Sequence, residues 1–446
     1  MERAKLVVKN FGPLKDIEIE VREMVTFIGA QASGKSTLAK LLSIFEDENF
    51  RSDDKITFEE ELKKYNIFSY LKKDSFIHYD SKNVNTTIAE FTFSDNKFKK
   101  STLHDTLSRL KRLKSLKVKD PQDKLDLIEM IKKLISQFIN TYKLLNRDDF
   151  YLVFETEKQK IKFELDFHNI RIKDGRIKDS DVDKLIEILE REKSYDNYVF
   201  LYEEIISFFP KIFLFDSLYI PSERNFLHLI SENTLGLINN NIHIPKHLLN
   251  SGQDYEKAIQ TIKELPLSII DKKIKYKREG KTSYIYHNET EKVDLLESAS
   301  GLQTVVPILL LVEYAKSLKD EYNFNFVVEE PELNLYPKAQ HELVKYLVKN
   351  CLFDRKNLII TTHSPFVLAS INNLLLAFEK GQTNAKEVNK IIKKESWLNP
   401  KNYIAYQLKN GKAYKITNDK LGQIKENMID GISDDFASEF NKLLDL

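Results

Sequence analysis

Nine residues, GAQASGKST at 29–37, bring together the types a polyphosphate requires. Gly29 and Gly34 let the backbone curve until its N–H groups point inward, and Lys35 adds an ammonium. Apolar residues at helical spacing follow in LAKLLSIF, so the loop opens a helix whose N-terminus adds positive potential at the same spot. The pattern G-x-x-x-x-G-K-[ST] predicts a cradle for the β- and γ-phosphates of a nucleoside triphosphate, without saying which one. Ser36 then offers its hydroxyl to Mg²⁺, and Thr37 lies toward the α-phosphate. Gly29, Ser33, Gly34, Lys35, Ser36 and Thr37 are the candidate nucleotide contacts.

Three further segments carry groups suited to the same chemistry. FVVEEPELNLYP at 326–337 is an apolar run ending in two carboxylates, as where a buried strand delivers acids to its C-terminal edge. Adjacent strand residues point to opposite sides, so Glu329 is expected at the Mg²⁺ shell and Glu330 at the water that attacks the γ-phosphate. TTHSPF at 361–366 follows the run LII and sets His363 at another strand end, within reach of the γ-phosphate or that water. ESASGLQ at 297–303 starts an apolar helix with small residues, and Ser300 and Gly301 are candidates for contacting phosphate oxygens there. Alone, each of the three has an ordinary structural reading: an acidic strand end, a strand-end histidine, a helix cap. Their order after the first loop makes them one set.

Positioning these groups requires a buried sheet with helices on it. Residues 4–28 alternate apolar and polar in two runs and then become continuously apolar in VTFIG, which predicts three strands leading into the loop. From about residue 48 the composition turns rich in lysine and aspartate and poor in glycine. An inserted lobe is therefore expected over 48–212, dividing an N-terminal core part at 1–47 from a second core part at 213–380, with a small tail at 381–446. Within the lobe, Leu103, Leu107 and Leu110, then Ile128, Ile131, Ile135, Phe138, Tyr142 and Leu145, form apolar seams at helical spacing. They predict an antiparallel helical hairpin. Strand pairs are expected at 88–98 and 150–166, a hairpin at 274–295, and a strand-like stretch at 403–416 before a final amphipathic helix.

Composition narrows the function classes. Lysines and arginines (69) nearly cancel aspartates and glutamates (68), so no whole-molecule attraction to nucleic acid or membrane follows, although a local basic patch is permitted. Cys351 has no partner in the chain, which excludes an internal disulfide and a cysteine-based zinc site and points to a reducing cytoplasm. The amino terminus reads as a strand rather than a signal peptide, and VVPILLLV at 305–312 falls far short of the roughly 20 residues that span a bilayer.

Phosphate loop, serine–glycine helix start, acidic strand and histidine, in that order, resemble the ABC ATPase superfamily. The opening NFGPLKDIEIE, the strand YIPSER, the SASG segment, EEPE-x-x-L-x-P and TTHSP more closely resemble its AAA15/AAA21 and OLD-like branch. The resemblance implies an α/β core, a mixed sheet flanked by helices, carrying an α-rich insertion. It also implies Glu330 as catalytic glutamate, His363 as switch histidine and residues 299–303 as signature, with Gln303 beside Ser300 and Gly301 among its nucleotide contacts. In such ATPases the signature of one protomer completes the ATP site of another, so a head-to-tail dimer or higher homo-oligomer is expected. Two departures stand out. Glu329 occupies the place of the usual aspartate, and the signature lacks its usual leucine and second glycine. The glutamine of the family's Q-loop has no clear counterpart, and the segment with Glu223 and Arg224 is the candidate region.

Members of the OLD branch often carry a C-terminal Toprim nuclease, for which this chain ends too soon. That architecture resembles the stand-alone ATPase of PARIS-like anti-phage systems, implying a sensor or scaffold that controls a separate effector such as a Toprim nuclease. The alternative is a RecF-like DNA-maintenance ATPase, for which the basic segment RLKRLKSLKVK at 109–119 would grip phosphates. That segment has no interleaved stacking aromatics and reads more simply as a solvated helix face. A transporter subunit fits poorly, because the long insertion is foreign to that role.

Overall fold

The computed structural model of the chain describes residues 4–53, 55–83, 86–102, 216–230, 244–318, 324–352 and 356–444. The helical hairpin, the strand pair at 150–166 and the basic segment expected between 103 and 166 lie outside them. Strands β1 (Ala4–Phe11) and β2 (Leu14–Val21) form an antiparallel hairpin, and β3 (Met24–Gly29) is buried along its whole length. Helix α1 (Lys35–Phe45) follows the loop, and the short α2 (Glu48–Ser52) and α3 (Phe58–Lys64) lead to β4 (Phe76–Asn83), β5 (Thr86–Ser94) and β6 (Lys97–Thr102). After β7 (Asp216–Ile220) and α4 (Lys246–Thr261) comes a small antiparallel sheet of β8 (Glu264–Pro266), β9 (Lys275–Glu279), β10 (Thr282–Tyr286) and β11 (Lys292–Asp294). Helix α5 (Ser300–Ser317), β12 (Phe324–Glu329), α6 (Pro337–Cys351), β13 (Lys356–Thr362) and α7 (Pro365–Ile391) follow. The chain then adds β14 (Tyr403–Lys409), β15 (Lys412–Lys415) and α8 (Met428–Leu444).

Among the described residues the main sheet has 11 strands, in the order β6-β5-β4-β1-β2-β15-β14-β3-β13-β12-β7. Its β14-β3-β13-β12-β7 half is parallel, whereas β1 pairs antiparallel with both β2 and β4. It is thus the expected mixed sheet flanked by helices. Parallel strands must be covered on both faces, and their residues alternate accordingly. Phe326 and Val328 of β12, with Leu358 and Ile360 of β13, join one core with Leu309, Val344 and Leu374 of α5, α6 and α7. The residues between them face the side of α1, whose Leu38, Leu41 and Leu42 are fully buried.

Two compact units emerge: residues 1–80, 90–100 and 214–446, and residues 81–89 with 101–213. This division departs from the boundaries expected at 48 and 381. Strand β4 pairs with β1 from Lys5↔Asp80 to Lys9↔Phe76, which draws the segment after residue 47 into the sheet. Strand β14 lies directly beside β3, from Tyr403↔Met24 to Leu408↔Gly29, so the stretch after 380 is part of the central sheet and no appendage. Every candidate site residue falls in the first unit.

Candidate functional site

The loop after β3 is shaped by its glycines. Gly34 adopts φ 102 as the residue before α1, and Gly29 adopts φ 152; an added Cβ at Gly29 would lie 2.6 Å from the carbonyl oxygen of Leu408. Larger residues are disfavoured at both places. The Lys35 side chain is buried, and its Nζ donates to the carbonyls of Gly29 at 3.0 Å and Ala30 at 3.1 Å, so the ammonium folds over its own loop. Burial lowers the Lys35 pKa, opposed by the carboxylates of Glu330, Glu332 and Glu329. Thr37 is buried, Ser36 half-buried, and the buried Ser33 Oγ has no hydrogen-bond partner.

Strand β12 ends on Glu329, which follows Asn325 and Val327 onto the α1 side of the sheet. Burial raises the Glu329 pKa, while Lys40 and then the hydroxyls of Ser36 and Tyr219 pull it back. Its Oε1 is buried and unpartnered. A buried carboxylate oxygen without a partner is costly, and a cation is the natural occupant of such a place. Glu329 together with the hydroxyl of Ser36 therefore fits an oxygen-seeking Mg²⁺.

Glu330 is not the next strand residue that alternation predicts. Its φ is 43, a left-handed conformation costing about 1–2 kcal/mol for a residue with a side chain. Its N–H donates to the Thr361 carbonyl of β13 at 2.9 Å, and its carbonyl accepts from Arg224 Nη2 at 2.8 Å. The kink brings Glu330 Oε1 to 3.4 Å from His363 Nε2. Burial and then Lys35 lower the His363 pKa against the opposing pull of Glu330.

Glu332 was not among the expected site residues, yet it secures the histidine. Its Oε1 accepts from the backbone N–H of His363 at 2.7 Å and from Thr362 Oγ1 at 2.8 Å, while Oε2 is buried and unpartnered. Burial raises its pKa. The only hint in the sequence was a third acid two residues beyond Glu330.

The segment at 297–303 behaves differently from residue to residue. Ser300 opens α5 and is exposed, and Gly301 packs so closely that an added Cβ would meet the Asn334 carbonyl oxygen at 2.7 Å. The Gln303 amide donates back to the carbonyls of Leu296 and Ser298, both at 2.8 Å, and so holds the approach to the helix. Lys35, Glu329, Glu330 and His363 are thus brought together by one chain. Gly301 lies against the turn that follows Glu330, close to the Asn334 backbone.

A sequence model of the AAA ATPase domain family, AAA_15, matches residues 1–368. Among solved structures, the chain is similar to the Smc head domain with an extended coiled coil, bound to the C-terminal domain of ScpA, derived from Pyrococcus furiosus. Identity is 11%, with a TM-score of 0.34 over 93% of this chain and 96% of that one. It is also similar to the SMC head domain from Thermotoga maritima, at 9% identity and a TM-score of 0.38 over 94% of this chain and 100% of that one. No curated protein matches. Since the matched residues make up well over half of its length, the chain belongs to the AAA ATPase domain family and is an ATPase.

Proposed function

We propose that the chain works as an ABC-type ATPase that hydrolyses MgATP when two copies pair head to tail, and that it thereby controls a separate effector chain. The observation that carries the hydrolytic part is the 3.4 Å approach of Glu330 to His363 beside Lys35. Lys35 exchanges its loop carbonyls for the β- and γ-phosphates, a charge-assisted contact stronger than the neutral ones it leaves. Glu330 orients water and takes its proton as the oxygen–phosphorus bond forms and the bond from γ-phosphorus to the β–γ bridging oxygen breaks. His363 donates an N–H to a γ-phosphate oxygen. Mg²⁺, held by Ser36 and Glu329, would supply positive charge against the phosphates.

Pairing is supported by the exposure of Ser300 at the start of α5 and by large apolar side chains left open near site segments. Phe226 is 54% exposed, Tyr336 78% and Phe366 48%; each follows a site segment directly in the chain. Apolar groups so placed suit a partner surface. The effector, an anti-phage nuclease of the Toprim kind, is supported by the motif resemblance, and ATP-sensitive co-purification with such a chain tests it.

The test of pairing is complementation. Ser300→Arg places charge on an exposed helix start and should leave ATP binding intact while abolishing turnover, and Lys35→Ala should abolish turnover by weakening ATP binding. Mixed, the two form one intact composite site, so the mixture hydrolyses ATP where neither variant does alone. A mixture as inactive as its components rules out the shared site.

A further inference from the structure

Arg224 follows β7 and is 0% exposed, one of the largest fully buried side chains among the described residues. A guanidinium has five N–H donors, and here it bonds to backbone carbonyls alone. Nε donates to Thr304 at 2.9 Å; Nη1 donates to Pro221 at 3.2 Å and Glu329 at 2.8 Å; Nη2 donates to Glu330 at 2.8 Å. Burial pushes its pKa down to about 10, with Glu332, Glu330, Glu329 and Glu223 opposing, so it stays charged at neutral pH.

These carbonyls lie on three segments. Glu329 and Glu330 are the end of β12 and its left-handed kink, and Thr304 is in the second turn of the helix that Ser300 opens. A second bridge reinforces the link: Thr304 Oγ1 lies 3.0 Å from the carbonyl of Leu333 and 3.0 Å from that of Ser300. Gly301 touches the Asn334 backbone in the same turn. The start of α5 therefore cannot shift without pulling on the backbone that sets Glu330.

We infer that Arg224 is a positioning residue: it ties the opening turns of α5 to the Glu330 backbone, so that engagement of Ser300 and Gly301 sets the water-activating carboxylate. The inference rests on the proposed role of Glu330 and goes beyond it by naming how the shared signature reaches the reacting water. A bare cation would not suffice, because the link needs a planar fork reaching several carbonyls at once.

Arg224→Lys and Arg224→Gln test it in the full chain, alone and combined with Glu330→Gln. ATP binding is followed with a fluorescent ATP analogue, and phosphate release is normalised to the nucleotide sites so counted. We expect kcat to fall between about tenfold and a hundredfold with KM nearly unchanged. In the Glu330→Gln background, Arg224→Lys should lower the residual rate no further, because it acts through the missing carboxylate. A kcat for Arg224→Lys within about twofold of wild type, or full additivity in the double variant, overturns the inference. Loss of nucleotide binding in both Arg224 variants overturns it as well, since the residue would then serve folding and not turnover. Wild-type turnover by Glu330→Gln alone would remove the reading of Glu330 beneath it, a result distinguishable from the others.

Discussion

Glu332 offers a perturbation whose size follows from its contacts. Its Oε1 accepts from the His363 N–H and from Thr362 Oγ1, and Thr362 Oγ1 in turn accepts from the Ser364 N–H at 3.0 Å. Glu332→Ala leaves two buried donors without an acceptor, each worth about 1.5–3 kcal/mol when the partner is charged. Part of that loss is returned, because a carboxyl whose pKa burial has raised no longer has to be desolvated. The net cost is about 2–4 kcal/mol. Glu332→Gln keeps the accepting oxygen and gives up only the charge, so about 1 kcal/mol is expected. Trp397, the single tryptophan, is buried in the unit that holds the site, and its fluorescence in a urea titration reads both variants. The alanine variant should also lose turnover, because the His363 backbone is no longer held, while the glutamine variant keeps most of it. Equal destabilisation by the two substitutions, or an alanine variant as stable as wild type, would refute the reasoning, since acceptor and charge would then not be separable as described.

Two further outcomes concern protons. The raised pKa of Glu329 means that a proton competes with Mg²⁺ at a higher pH than at an ordinary carboxylate. The Mg²⁺ concentration for half-maximal turnover should therefore begin to rise at a higher pH than an ordinary carboxylate would dictate, and Glu329→Gln should raise it about tenfold and flatten that dependence. A Mg²⁺ titration at several pH values checks both. His228, buried with its ring against the Tyr255 hydroxyl at 2.6 Å and the Gln303 carbonyl at 3.3 Å, has its pKa lowered from 6.5 to about 4. The unfolded chain takes up this proton first, so the contribution of His228 is full above 6.5 and is lost as pH falls toward about 4. That loss reaches about 3 kcal/mol. Urea midpoints of wild type and His228→Asn across this range isolate it; a difference that grows on acidification contradicts the sign.

Much of the site could be read from sequence because its signals are local. Period-two alternation ahead of VTFIG, then glycines and Lys35, then helical spacing, describe β1 to α1 almost residue by residue. Glu330 and His363 stand out in the sequence for the same reason, as polar residues ending apolar runs. The route to Glu330 was not legible: alternation put it on the opposite side of a strand, whereas a left-handed turn held by Arg224 and Thr361 places it. Arg224 shows why, since all of its partners but the nearby Pro221 carbonyl are carbonyls 80 or more residues away, and no side-chain pattern marks a carbonyl. Likewise β14 enters the middle of the sheet beside β3 from beyond residue 400, a pairing that local periodicity cannot encode. The buried YIAY at its start was the available signal. Gln303, a candidate through its motif, has its amide bonded to the Leu296 and Ser298 carbonyls, contacts that its motif does not announce. Among the described residues no helix is long and apolar enough to cross a membrane.

Glu330→Gln measures the central claim most directly, with ATP binding and phosphate release followed on the same sample. The substitution removes the proton acceptor and preserves shape, so ATP should bind as in wild type. Phosphate release should slow by about a hundredfold or more, and the paired state should accumulate. Release at the wild-type rate would contradict the account, because some group other than the carboxylate beside His363 would then be activating the water.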